Sequence, residues 1–166
     1  MRGQKGFTFI ELILYVAIVT IVLGALIPFA WAVIGVGTKS SAEQEVYSQA
    51  RYDSERIKYE IRSASGINSV AATSISLASS ISANNPTIID LSGGKIRVKY
   101  GSGTAQNINS NDTTVTSLTF TTYTSTDNKT KHIGFNFTID DNYGSSRQEY
   151  QVPAVTIESS AEVRSN

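Results

Sequence analysis

Between Phe7 and Val36 the chain carries a single formally charged side chain, Glu11, in an otherwise apolar run. About 20 apolar residues suffice for a helix to cross the hydrocarbon core of a bilayer, so this run is long enough to span one. The carboxylate near its beginning is the anomaly to explain. At the bilayer centre an acidic side chain costs roughly 2.5–3.5 kcal/mol, and such residues mark functional sites by default. Nearer the end of a span the cost falls, but the carboxylate still calls for a cation. Arg2 and Lys5 lie before the run. A cut between Gly6 and Phe7 would create a different cation, an α-amino group at Phe7. Positions i and i+4 share a helix face, so that amine would lie over Glu11 of its own chain or of a neighbouring helix.

Gln4-Lys5-Gly6 followed by Phe7-Thr8-Phe9-Ile10-Glu11-Leu12-Ile13 resembles the cleavage and methylation motif of class III signal peptides, as found in type IV pilins and type II secretion pseudopilins. The resemblance implies removal of residues 1–6 by a prepilin peptidase on the cytoplasmic side, with cleavage between Gly6 and Phe7 and N-methylation of Phe7. It further implies that Glu11, with the Phe7 amine, guides assembly into a helical filament with other pilin subunits on an inner-membrane assembly platform. The motif covers about the first fifth of the chain.

Two plainer readings compete. A secretory signal has an apolar region of about 7–15 residues and an A-x-A-like cut site, and Ala30-Trp31-Ala32 offers such a site. The run before it is too long, however, and contains Glu11. A plain single-pass anchor leaves Glu11 unexplained. Outside the secretory case, Arg2 and Lys5 ahead of the span keep the leader cytoplasmic and export the chain beyond Val36. The expected location is therefore the cytoplasmic membrane as a single-pass precursor, and then a pilus or pseudopilus on the surface or in the periplasm.

The 166 residues carry no formal net charge and no cysteine. Structural disulfides, thiol chemistry and cysteine-ligated zinc are thereby excluded. Many major pilins of the type IVa kind close a C-terminal loop with a disulfide, so the resemblance here favours a minor pilin or a pseudopilin. No cofactor is expected.

Pro28 lacks an N–H, and its ring would meet the carbonyl of Gly24. A kink or locally loosened stretch is expected around Gly24–Pro28, as in pilins with a proline at the matching position, although Thr20 stands where those often carry glycine. From Ser40 the pattern becomes amphipathic. Val46, Ala50, Ile57, Ile61 and Ala64 form one helical stripe. Glu43, Glu45, Arg51, Asp53, Glu55, Arg56, Lys58, Glu60 and Arg62 take the remaining faces, with Glu55–Lys58 and Asp53–Arg56 as i,i+3 pairs. One helix is expected from Phe7 to about Ala64, stopped near Gly66. The remainder reads as strands. Lys95–Tyr100 puts Ile96, Val98 and Tyr100 on one face. Ile133, Phe135, Phe137 and Ile139 alternate with His132, Gly134, Asn136 and Thr138. Leu118 and Phe120 mark a third strand within 115–124. Gln148–Ile157 is a fourth, at an edge or bulged because of Pro153. Ile75–Leu77 and Ile88–Leu91 could add short strands, and Ala71–Asn85 is a Ser/Ala-rich loop or weak strand. Turns are expected at Ser92–Gly94, Asn109–Asp112, Thr126–Lys129 and Asp140–Gly144.

The expected class is α+β and type IV pilin-like. A leader occupies residues 1–6, a transmembrane and filament-core helix 7–36, an amphipathic helix half 37–64 and a β-sheet head 65–166. The second helix half is expected to cover one face of an antiparallel sheet.

Catalysis has little to stand on. His132 is the sole histidine and falls on a polar strand face, and no serine sits in a nucleophile motif. Asp140, Asp141 and Asn142 ahead of Gly144 offer the clustered oxygens that calcium takes, yet the EF-hand spacing is absent and the same residues are ordinary turn chemistry. Lys95, Arg97 and Lys99 form a basic stripe. A tip-located pilin of a competence-type system could lay such a stripe on DNA phosphates, whereas outward lysines also discourage edge pairing. Tyr100 lies on the other face, so no aromatic interleaves the stripe.

Overall fold

The computed structural model describes residues 6–124, 131–144 and 150–163. The chain separates into two compact units, Met1–Thr38 and Lys39–Asn166. One helix, α1, is assigned from Phe9 to Ser63. Among the described residues, eight strands come after it: β1 Gly66–Ala71, β2 Ser74–Ala78, β3 Thr87–Ser92, β4 Lys95–Tyr100, β5 Gln106–Asn107, β6 Thr113–Thr124, β7 Lys131–Asp141 and β8 Val155–Glu162.

In the first unit, the most apolar 18-residue window of α1 has a mean hydropathy of 2.7 and none of it is buried. Soluble monomers do not leave an apolar surface of that extent to water, so lipid or other helices must cover it. The polar side chains within it are satisfied locally. Thr20 Oγ1 donates to the carbonyl of Val16 and Thr38 Oγ1 to that of Ile34, each at 2.8 Å. Hydroxyls bonded in this way can sit in hydrocarbon without an unpaired donor.

In the second unit, Val46, Ala50, Ile57 and Ile61 of α1 are buried together with Ala64, the stripe expected from the 3.6-residue period, and Ala42 extends it by one turn. They join a single apolar cluster with Ile75 and Leu77 of β2, Ile89 of β3, Ile96 and Val98 of β4, and the inner faces of β6, β7 and β8. This is the α+β arrangement read from the sequence, with amphipathic helix on antiparallel strands. The helix ends at Ser63, and Ser65 N–H passes directly to the carbonyl of Ala78 on β2 (2.9 Å). Gly66 begins β1 and does not cap the helix.

The single expected sheet is in fact two. The first has the order β1-β2-β3-β4-β5 and the second β6-β7-β8, all neighbours antiparallel. Isolated backbone bonds stitch them together, from Val115 N–H to Gly94 O and from Phe120 N–H to Ala72 O. In β6 the register shifts between Val115 and Ser117, so the buried positions change from odd to even at Leu118 and Phe120. A bulge of this kind adds one residue and re-aims the strand. In β7, Ile133, Phe135, Phe137 and Ile139 are all buried, as their alternation requires. The fourth strand starts later than its sequence suggests. Pro153 precedes β8, which runs on to Glu162 as the sheet edge, because a residue without an N–H is best left outside the ladder. The turn at Thr126–Lys129 lies outside the described residues, as do residues 148–149.

The charged residues of α1 are not all on a solvated face. Asp53 and Glu60 are buried. Arg56 pairs with Glu60 (3.0 Å) rather than with Asp53. It also donates to Tyr100 Oη at 2.7 Å, and Tyr100 in turn donates to Glu60 Oε1 at 2.5 Å. This triad ties α1 to β4. Burial pushes the Tyr100 hydroxyl upward, helped by the Glu60 carboxylate that accepts from it. The Glu55–Lys58 pair forms as expected.

Candidate processing and assembly site

The helix begins at Phe9, so Phe7 and Thr8 precede it. Thr8 occupies the N-cap position, and its carbonyl accepts from the N–H groups of Glu11 (3.1 Å) and Leu12 (3.2 Å). Its hydroxyl lies 3.4 Å from the Glu11 N–H, and Glu11 Oε2 reaches back to both the N–H and the hydroxyl of Thr8 at 3.4 Å. Thr8-Phe9-Ile10-Glu11 is therefore a capping box, with the glutamate at the third helical position. There the unpaired N–H groups of the first turn supply partial positive charge, which stabilises a carboxylate by about 0.3–1 kcal/mol at exposed sites. Glu11 thus has a local partner even before any cation arrives.

In the uncut chain Phe7 precedes the assigned helix, and its ring meets Tyr15 edge to face, with centroids 6.1 Å apart and planes at 69°. The Gly6–Phe7 bond lies just outside the first turn of α1. Sequence reading missed Thr8, although Thr-x-x-Glu ahead of an apolar run is the signature of such a box.

The helix assignment is unbroken through Gly24 and Pro28, although proline has no N–H to offer the Gly24 carbonyl. A Cβ added at Gly24 would meet nothing within 4 Å, leaving that face open.

The basic stripe on β4 is largely consumed within the head. Lys95 Nζ donates to the carbonyls of Ser110 and Thr113, the latter at 2.7 Å. Arg97 makes a bidentate pair with Asp90 across the β3–β4 ladder, through Nε at 2.8 Å and Nη2 at 2.7 Å. The Asp90 carboxylate bonded to it holds the Arg97 guanidinium above its ordinary range. Lys99 completes the row, half-buried at the next position.

The acidic turn is similarly occupied by its own backbone. Asp140 Oδ1 accepts from the Asp141 N–H at 2.9 Å, Asp141 Oδ1 from the Tyr143 N–H at 3.0 Å, and Asn142 donates to Asn111 O at 2.9 Å. Among the described residues, no cluster of three His, Cys, Asp or Glu side chains is arranged to hold a metal. His132 Nε2 lies 3.0 Å from Ser160 Oγ on the outer face of the second sheet.

Residues 1–27 match the family model described as the prokaryotic N-terminal methylation motif, the class III signal peptide of type IV pilins. No curated protein and no solved structure matches the chain.

Proposed function

We propose that the chain is a structural subunit, of the minor kind, in a type IV pilus-like filament. A prepilin peptidase removes residues 1–6, Phe7 is methylated, and the apolar half of α1 moves from the membrane into the filament core. The observation that carries this reading is the methylation motif standing directly on a capped apolar helix whose side chains are uncovered. Cleavage would place a cationic amine two residues before the helix, beside a carboxylate that is held by only long hydrogen bonds to Thr8. An amine from an adjacent subunit forms a stronger, charge-assisted bond to that carboxylate than Thr8 does. Glu11 then sets register between neighbours, and the apolar surface supplies the cohesion.

A pseudopilin of a type II secretion system would use the same chemistry in a short periplasmic filament. The machinery with which the wild-type chain co-purifies decides between the two. Tip-located DNA binding loses support, because Lys95 and Arg97 already serve internal acceptors. The test is Glu11→Ala beside Glu11→Gln in the native host. Both variants should be processed and remain in the membrane but be lost from the sheared filament fraction. Wild-type incorporation of Glu11→Ala would refute the assembly role.

A further inference from the structure

Asp53 sits in the middle of the docked half of α1 and is fully buried, at 0 % exposure. Its Oδ1 accepts from Gln49 Nε2 at 2.7 Å, and its Oδ2 is buried with no hydrogen-bond partner among the described residues. The same Gln49 amide reaches Ile108 O on the β5–β6 connection at 3.3 Å. The charged group acting on Asp53 from the opposing strands is Lys95 of β4, whose ammonium is committed to the carbonyls of Ser110 and Thr113. Asn109 of the same connection and Thr113 at the start of β6 are neutral, and Asn109 is spent on Ile96 N–H, Gly94 O and Thr113 O. On its own helix, Arg56 is turned to Glu60 and Tyr100. An ionised carboxylate in this place would have one buried oxygen with no donor among the described residues, a costly state in a low-dielectric site.

We propose that Asp53 is a proton-operated latch between α1 and the β4–β6 region, closed when the carboxyl is neutral and loosened when it ionises. The neutral acid removes the buried charge and keeps the Gln49 bond, so the docked helix is tightest in acidic surroundings. Burial, which outweighs the Gln49 bond and the Lys95 charge, raises the Asp53 carboxyl from 3.8 to about 7. The sign follows from proton counting. Between these values the folded chain holds a proton that the unfolded chain has released, so stability falls as pH rises through that window. Each pH unit within it lowers the folding equilibrium constant by about tenfold, and the loss is complete above the folded value. An exported head would thereby be stiffer in an acidified exterior than at neutrality.

The test uses the full chain in detergent micelles, comparing wild type with Asp53→Asn, which mimics the neutral acid. Urea unfolding from pH 4 to pH 8 should show the wild type losing about two to three decades in its folding constant relative to the variant. Hydrogen-exchange protection factors at residues 49–57 and 95–113, which are corrected for the intrinsic rise of exchange with pH, should fall between pH 4 and pH 8 in the wild type alone. In parallel, infrared spectra of aspartate-labelled protein should show a protonated carboxyl band that persists to near pH 7 and is missing from Asp53→Asn. That band requires only the wild type to fold. Parallel pH slopes for the two proteins, or loss of the band by pH 5, would overturn the proposal.

Discussion

Replacing Lys95 by methionine separates two accounts of the basic row on β4. Methionine keeps most of the apolar stem and removes only the ammonium, which donates to Ser110 O and Thr113 O. A hydrogen bond involving a charged group contributes about 1.5–3 kcal/mol, so two of them set an upper figure of roughly 6 kcal/mol. The true loss is smaller, because both carbonyls keep a second partner. Thr113 O still accepts from Asn109 Nδ2 at 3.1 Å, and Ser110 O from the Thr113 hydroxyl at 3.4 Å. A net loss of about 2–3 kcal/mol is expected. With a urea slope of about 2 kcal/mol/M, the midpoint should fall by roughly 1–1.5 M, read by near-ultraviolet circular dichroism of the tyrosines in micelles. Lys99→Met, which removes the neighbouring charge where no such acceptors are seen among the described residues, should stay within about 0.5 kcal/mol of wild type. Equal effects for the two substitutions, or a wild-type midpoint for Lys95→Met, would refute the assignment of Lys95 to the fold.

Three further outcomes concern the head. Gly101 has φ +50°, and a Cβ there would stand 2.4 Å from the Ala83 carbonyl oxygen; Gly101→Ala should therefore cost more than the roughly 1–2 kcal/mol of left-handed strain alone. Gly93→Ala, with φ +59° and open space around it, should cost only that strain, and urea midpoints of the pair give the comparison. Ile61→Ala, at a fully buried position of the α1 stripe, should lose about 2–5 kcal/mol by the same measurement. Tyr100→Phe removes the hydroxyl shared by Arg56 and Glu60 and should cost about 1–2 kcal/mol, and a double-mutant cycle with Glu60→Gln should show strong non-additivity.

The parts of this fold written in periodicity were legible. The α1 stripe and the four apolar positions of β7 follow from spacings of 3.6 and 2, and both are buried as those spacings require. The division into two sheets was not, because alternation says which face of a strand is apolar and nothing about which strand it pairs with. β1 has no strict alternation, its Ile67 and Val70 lying three apart, and β5 is only two residues long. Burial of Asp53 and Glu60 was equally illegible. Along the helix they look like Glu55, and only Gln49 with the orphaned oxygen, and Arg56 with Tyr100 from 40 residues away, set them apart. The row Lys95, Arg97, Lys99 is real as a row, but the carbonyls and Asp90 that absorb two of its charges come from other segments. At the N-terminus, Glu11 stood out by charge alone. Thr8 did not, because a threonine in an apolar run draws attention only when it is read together with the glutamate three residues on.

The central claim is processing at Gly6–Phe7, and the N-terminal sequence and intact mass of the protein recovered from its native membranes test it most directly. The account predicts a chain that begins at N-methylated Phe7, with residues 1–6 absent and the rest intact. A chain that still begins at Met1, or one cut after Ala32 to begin at Val33, would contradict it.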